Sequence, residues 1–184
     1  MTKKIYVSAN DYLRDSWRLA RMILDSGWKP EDLIALWRGG APVGVTVHEF
    51  LYFHGLRPRH RVLKCQSYTG IQAHSRKVVF ENAEEIFRSV VRDSRVLVID
   101  DVLDTGNTAR AVLDRLTPLG AIVRLATVYW KPNQSQTDIK PDFYVRQTDD
   151  WIVFPHELDG LTPEEVKLKD SVIYDLLDLA RLKK

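Results

Sequence analysis

Residues 96–108 read Val-Leu-Val-Ile-Asp-Asp-Val-Leu-Asp-Thr-Gly-Asn-Thr, and this stretch is the clearest indication of the architecture. Four consecutive large aliphatic side chains are typical of a parallel strand that is buried on both faces. Asp100 and Asp101 follow directly, and Gly106 precedes an amphipathic helical pattern that runs to Gly120. The stretch therefore predicts a strand, an acidic loop and a helix in that order.

The same alternation extends on both sides of this stretch. A short apolar run, 33–37, is followed by Arg38-Gly39-Gly40 and a second helical pattern, and further strand patterns occupy 61–68 and 121–130. Strands that alternate with helices at this spacing form βαβ units. The sequence therefore predicts an α/β fold with a mainly parallel sheet.

Composition excludes several classes of protein. The 184 residues suit one domain, and 27 basic against 25 acidic side chains give a net charge of +2. That balance argues against a polybasic nucleic-acid or membrane binder. A single cysteine, Cys65, rules out an intramolecular disulfide, and no residue that would activate it as a nucleophile is evident. Because no long apolar run or signal-peptide pattern occurs, we expect a cytoplasmic location.

The polar end of the 96–108 stretch has the residue types of a ligand-binding site. Ligands of parallel sheets bind beyond the carboxyl ends of the strands, and adjacent acids there are costly unless a cation or a sugar diol uses them. Backbone N–H groups at the start of the following helix form an anion site. A sugar phosphate fits both parts. One alternative is that the acids merely cap a helix. Another is the acidic metal-binding strand of a P-loop NTPase, which would need a Gly-x4-Gly-Lys-Ser/Thr motif that this sequence lacks.

These thirteen residues resemble the phosphoribosyl-diphosphate signature of the type I phosphoribosyltransferases. The resemblance implies a Rossmann-like, mainly parallel twisted sheet with flanking helices, and a small hood built from the chain-terminal segments. It also implies that Asp104 is the catalytic base, and that Asp100 and Asp101 hold the ribose hydroxyls directly or through Mg²⁺. The 5′-phosphate would lie on the backbone of Thr105, Gly106, Asn107 and Thr108.

Two further segments resemble the 6-oxopurine members of that family. Arg38 and Gly39 match the loop that grips pyrophosphate, although an isolated Arg-Gly-Gly sequence is more often a plain turn. Lys131 matches the donor to the purine 6-oxo group, Trp151 the ring that stacks on the base, and Ile152 a backbone contact. The alternatives are a solvated strand end for Lys131 and a core position for Trp151.

The remaining candidate positions are two residues shortly after Phe154 and a loop after the predicted strand at 61–68. His156 and Glu157 stand where the family often has Trp and Asp, which leaves the role of Glu157 as a metal ligand open. Residues 69–82 are polar and mixed, so we expect a mobile loop. Ser67 and Tyr68 match a Ser-Tyr pair at the start of the loop that, in relatives, closes over the active site.

We expect a single domain over 1–184, of which the resemblance covers about 5–160. Its core spans about 30–140, and the segments at about 1–10 and 141–184 supply the hood and the C-terminal helix. Thr162 and Glu165 form a capping-box pattern, which predicts a final helix over 162–184.

The function that these residues imply is purine salvage. A pentosyltransferase would move the phosphoribosyl group of phosphoribosyl diphosphate to hypoxanthine, guanine or xanthine and release pyrophosphate. The alternatives are a related enzyme for another base, or a nucleotide-binding regulator without turnover. We expect no nucleic-acid or membrane partner, and relatives suggest a homodimer or homotetramer.

Overall fold

The computed structural model of the chain describes residues 3–69, 76–81 and 83–178. Within these ranges the strands are β1 (Lys4–Tyr6), β2 (Asp32–Trp37), β3 (Arg59–Thr69), β4 (Arg76–Glu81), β5 (Arg95–Leu103), β6 (Ile122–Trp130), β7 (Phe143–Gln147) and β8 (Trp151–Val153). The helices are α1 (Ala9–Asp25), α2 (Gly40–Phe53), α3 (Glu84–Arg88), α4 (Asn107–Leu116), α5 (Pro163–Lys169) and α6 (Ser171–Asp175). Single 3₁₀ turns lie at Thr117–Leu119 and Pro132–Gln134.

The chain divides into two compact units. The core unit is Leu13–Asp149, and the terminal unit comprises the residues up to Tyr12 and from Asp150 onward. Each unit has its own sheet.

The core unit contains a six-stranded sheet in the order β4-β3-β2-β5-β6-β7. Every neighbouring pair is parallel except β3 and β4, which are antiparallel. The predicted α/β fold with a mainly parallel sheet is therefore confirmed. Residues 143–147, which we expected in the hood, instead form the edge strand β7, because their backbone continues the parallel ladder of β6.

The apolar half of the 96–108 stretch lies at the centre of this sheet. Residues 96–99 expose between 0% and 1% of their surface, as a strand covered on both faces should. The inward face of α4 buries Ala109, Val112 and Leu116 in the same apolar cluster as Val96 and Val98. Burial of these side chains stabilises the strand that presents the acidic residues.

The expected mobile loop at 69–82 is wrong for residues 76–81, which form β4. The backbone of β4 pairs with residues 64–69 of β3, and the Phe80 ring lies 5.6 Å from that of Phe87. Local composition hides this strand because its hydrogen bonds and its apolar contact come from residues distant in sequence. Residues 70–75 and 82 lie outside the described residues.

In the terminal unit, β1 and β8 form a two-stranded parallel sheet in which residues 4–6 pair with residues 151–153. The capping box is confirmed, since Thr162 accepts the Glu165 N–H and Glu165 accepts the Thr162 N–H. The single helix predicted over 162–184 is wrong. Asp170 has an extended backbone and its carboxylate caps Val172 and Ile173, so it ends α5 and starts α6. Residues 179–184 lie outside the described residues.

The described residues contain no helix that is long and apolar enough to span a bilayer.

Candidate active site

The carboxylates of Asp100 and Asp101 lie within β5 and not after it. We expected the acids to close the strand, but β5 continues to Leu103 because the ladder with β6 pairs Asp100 with Thr127 and Val102 with Tyr129. The Asp100 carboxylate accepts the Asp101 N–H at 3.0 Å, and the Asp101 carboxylate accepts the Val102 N–H at 2.8 Å. Both carboxylates are thus held by the backbone of the strand that carries them.

The electrostatics of these two acids favour a cation. Burial, and next the negative charge of Asp101, hold the pKa of Asp100 well above its usual range. A divalent cation or a sugar hydroxyl donor would relieve this repulsion. In the described residues no three His, Cys, Asp or Glu side chains group into a metal site. The candidate metal ligands at this edge of the sheet are therefore the two carboxylates of Asp100 and Asp101. Mg²⁺ binds in that way, through one or two carboxylates and several waters.

The loop after β2 lies against the same acids. A Cβ atom added at Gly39 would lie 1.8 Å from Oδ2 of Asp101, and one at Gly40 would lie 2.4 Å from the carbonyl oxygen of Ile99. The backbone of Gly40 also hydrogen-bonds to Asp100. Only glycine permits this approach, so the structure brings the predicted pyrophosphate loop and the predicted ribose-binding acids together. Arg38, next to them, is exposed.

Residues 104–108, which we name the phosphate loop, lead from β5 into α4. Gly106 has a φ of 80°, a conformation that favours glycine. Its carbonyl accepts the Arg110 N–H at 2.8 Å, which closes the first turn of the helix. The N–H groups of that first turn have no partner within the helix and are suited to an anion. The Asn107 N–H makes one long contact, 3.5 Å, to Oγ1 of Thr105.

Lys131 and Asp104 are in direct contact, although the sequence predicted them separately. Lys131 was the predicted hydrogen-bond donor to the purine 6-oxo group, and Asp104 was the predicted catalytic base. The Lys131 N–H donates to the carbonyl of Leu103 at 2.9 Å, so the end of β6 lies beside the end of β5. Lys131 Nζ then donates to Oδ2 of Asp104 at 3.2 Å. The lysine side chain is 9% exposed and that of Asp104 46%. Lys131 is therefore not a solvated strand end.

The predicted contacts to the base from Trp151 and Ile152 lie in the terminal unit. Both are in β8, where Trp151 is 57% exposed and Ile152 is 6% exposed. The exposure of the Trp151 ring argues against the core position that the sequence left open. Their assignment to the base stays a prediction from sequence.

His156 and Glu157 are also in the terminal unit. The His156 ring stacks on Phe154, with centroids 5.5 Å apart. Oε2 of Glu157 accepts the Phe154 N–H at 3.1 Å, so this carboxylate stabilises the backbone just after β8. A metal-binding role for Glu157 stays a prediction.

Ser67 and Tyr68 have their backbone in β3, opposite Val78 and Lys77 of β4. Their predicted part in closing the site stays a prediction.

Sequence reasoning missed the segment that covers the phosphate loop. The Gln136 N–H donates to the Thr105 carbonyl at 2.8 Å, and Thr137 lies against Gly106. Nothing in the polar composition of residues 133–138 signals this contact, because it depends on how the chain returns after β6.

Cys65 should be an unreactive thiol. Burial, and next the charge of Asp100, raise its pKa to about 12, so the thiol is protonated at neutral pH. We expect iodoacetamide to alkylate the folded protein at pH 8 at least about tenfold more slowly than the protein unfolded in guanidinium, since the thiolate is the nucleophile. Equal rates in the two states, followed by mass spectrometry, would contradict this.

Comparisons with known proteins agree with this geometry. A region of 76 residues is 47% identical to HGPRTase-like protein 1 of Haloquadratum walsbyi and covers 38% of this chain and 40% of that protein. Over 55 residues the chain is 33% identical to the hypoxanthine-guanine phosphoribosyltransferase of Lactococcus lactis, covering 30% of each. The alignments thus span well under half of these curated relatives.

Among solved structures, purine phosphoribosyltransferase from Pyrococcus horikoshii is similar over 86% of this chain and 97% of that one, with a TM-score of 0.68 and 28% identity. The family model described as phosphoribosyl transferase domain matches residues 6–159. That match includes Arg38, Gly39, both acids, residues 104–108 and Lys131. The chain belongs to the phosphoribosyl transferase domain family.

Proposed function

We propose that this protein is a purine salvage phosphoribosyltransferase specific for 6-oxopurines. It transfers the phosphoribosyl group of phosphoribosyl diphosphate to hypoxanthine, guanine or xanthine and releases pyrophosphate. The observation that carries the proposal is the pairing of Asp104 with Lys131, 3.2 Å apart, at the entrance to the phosphate loop.

This pair is complementary to one edge of the base. A 6-oxopurine protonated at N7 offers an acceptor, O6, beside a donor, the N7–H. Lys131 supplies the donor and Asp104 the acceptor, so the base replaces their mutual hydrogen bond with two new ones. Adenine carries an amino donor in place of O6, which would face the lysine donor. The pair therefore favours 6-oxopurines over adenine, as a site with buried polar groups can do strongly.

The sugar substrate fits the neighbouring groups. Asp100 and Asp101 accept hydrogen bonds from the ribose hydroxyls, and the amides of residues 105–108 bind the 5′-phosphate. Arg38 and the backbone of Gly39 bind the pyrophosphate, for which the guanidinium offers a bidentate donor. These contacts would place C1 of the ribose between the leaving group and the base.

The cation that the acids favour is Mg²⁺. Asp100 and Asp101 would hold it, either directly or through its waters, and bound Mg²⁺ would neutralise charge on the diphosphate.

The reaction is a displacement at C1. A ring nitrogen of the base forms the new bond to C1 while the bond from C1 to the pyrophosphate oxygen breaks. Asp104 accepts the N7 proton, so the base gains electron density as positive charge develops on the sugar. The carboxylates beside the ribose stabilise that charge.

A panel of five bases tests the proposal. We would measure pyrophosphate release with hypoxanthine, guanine, xanthine, adenine and orotate, with and without Mg²⁺. We expect turnover with at least one 6-oxopurine, little with adenine or orotate, and dependence on Mg²⁺. Preference for adenine or orotate would identify a related enzyme for another base. Nucleotide binding without release from any base would identify a regulator.

Sedimentation of the same sample would test the proposed homodimer or homotetramer. The cytoplasmic location likewise stays a proposal.

A further inference from the structure

The segment that follows Lys131 contacts the phosphate loop at several points. Gln136 is hydrogen-bonded on both sides of Gly106: its N–H donates to the Thr105 carbonyl at 2.8 Å, and its Oε1 accepts from Nδ2 of Asn107 at 2.9 Å. A Cβ atom added at Gly106 would lie 2.1 Å from Oγ1 of Thr137, so Thr137 lies directly on that glycine.

The segment itself is held in shape. Ser135 Oγ donates to the Thr137 carbonyl at 2.8 Å, which forms a compact turn around Gln136. Beyond the turn, Asp138 forms an ion pair with Arg110 of α4. Residues 131–138 therefore contact the strand end, the loop and the helix in succession.

We propose that Gln136 is a positioning residue for the phosphate loop, which rests on the proposed function. An anion site needs its N–H groups directed inward and its carbonyl oxygens directed away, because a carbonyl oxygen repels phosphate. The Gln136 N–H engages the Thr105 carbonyl at 2.8 Å, so that oxygen faces the segment.

The side chain of Gln136 has a second task. Asn107 is the first residue of α4, directly after the N-cap Gly106, so its backbone belongs to the first turn whose N–H groups the phosphate requires. The hydrogen bond from Asn107 Nδ2 to Gln136 holds that side chain against the segment. Gln136 thus ties the start of α4 to the segment and holds the first-turn amides in the orientation that the phosphate requires.

The test compares Gln136→Ala and Gln136→Met with Gln134→Ala. Methionine keeps the length of the side chain but cannot accept the Asn107 hydrogen bond, and Gln134 is an exposed glutamine two residues away. Both changes at Gln136 should weaken ribose 5-phosphate binding in calorimetry about three- to tenfold, the range for one lost hydrogen bond. Gln134→Ala should bind like the wild type.

Kinetics and melting separate positioning from stability. For Gln136→Ala, KM for phosphoribosyl diphosphate should rise by the same factor while kcat and KM for the base stay unchanged, since phosphate is bound equally in ground and transition states. A lower melting temperature with an unchanged KM would overturn the proposal, as would wild-type affinity in either Gln136 variant. If no base is turned over, the proposed function fails, and the ribose 5-phosphate titration still decides the role of Gln136.

Discussion

Replacing Asp104 with asparagine should lower kcat for hypoxanthine and guanine about 10²- to 10⁴-fold, the usual contribution of a general base. Asparagine has nearly the same shape but cannot accept the N7 proton. Because Asp104 is 46% exposed and lies outside the apolar cluster, the protein should stay folded. Initial rates of pyrophosphate release at saturating substrates measure the loss.

Binding measurements provide the control for this variant. The affinity for ribose 5-phosphate should change little, since residues 105–108 and the two acids on β5 are intact. Unchanged turnover with both purines would show that Asp104 is not the base. A parallel loss of ribose 5-phosphate affinity would show that the substitution disturbs the loop instead.

Replacing Lys131 with alanine should reduce kcat/KM for 6-oxopurines about 10- to 150-fold, which corresponds to one lost hydrogen bond from a charged donor. The loss should be much smaller for any residual activity with adenine, which has no oxygen at this position. Asp104 is half exposed, so water can solvate it once the lysine is gone, and the effect should report mainly on the lost contact to the base.

Lys140 offers a matched control. It is an exposed lysine on the same connection, and its ammonium lies 5.2 Å from the centre of the Trp130 ring. Lys140→Ala should leave the kinetics with all five bases unchanged. Equal losses for adenine and guanine in Lys131→Ala would refute the assignment of Lys131 to the 6-oxo group.

The core of the fold could be predicted from sequence because its signals are local. An apolar run such as 96–99 indicates a doubly covered strand whatever its neighbours are, and Gly106 marks the helix start through its own backbone conformation. Alternating elements of this kind leave few possible topologies. The parallel sheet and the loop between β5 and α4 follow from these signals.

The errors arose where distant residues decide the structure. Residues 76–81 are a strand because they pair with β3. Similarly, β5 extends to Leu103 because its last residues pair with β6. The final helix is interrupted because Asp170 caps a new helix, an option that an apolar periodicity does not reveal.

The candidate site shows the same division. Motifs identified Asp104 and Lys131 separately, but their contact depends on the register between β5 and β6. Gln136 carries no motif at all, since its importance comes only from the return of the chain over the phosphate loop. The contacts of Trp151 and Ile152 with the purine base stay predictions, since both residues lie in the terminal unit.

The mutual hydrogen bond of Asp104 and Lys131 has a consequence for inhibitor discovery. In the apo protein the carboxylate and the ammonium neutralise each other, so a charged fragment that displaces one of them places two like charges beside a single counterion. A neutral heterocycle with an acceptor next to an N–H satisfies both at once. Fragment libraries screened against this protein should therefore yield uncharged lactam-like rings more often than carboxylic acids or amines.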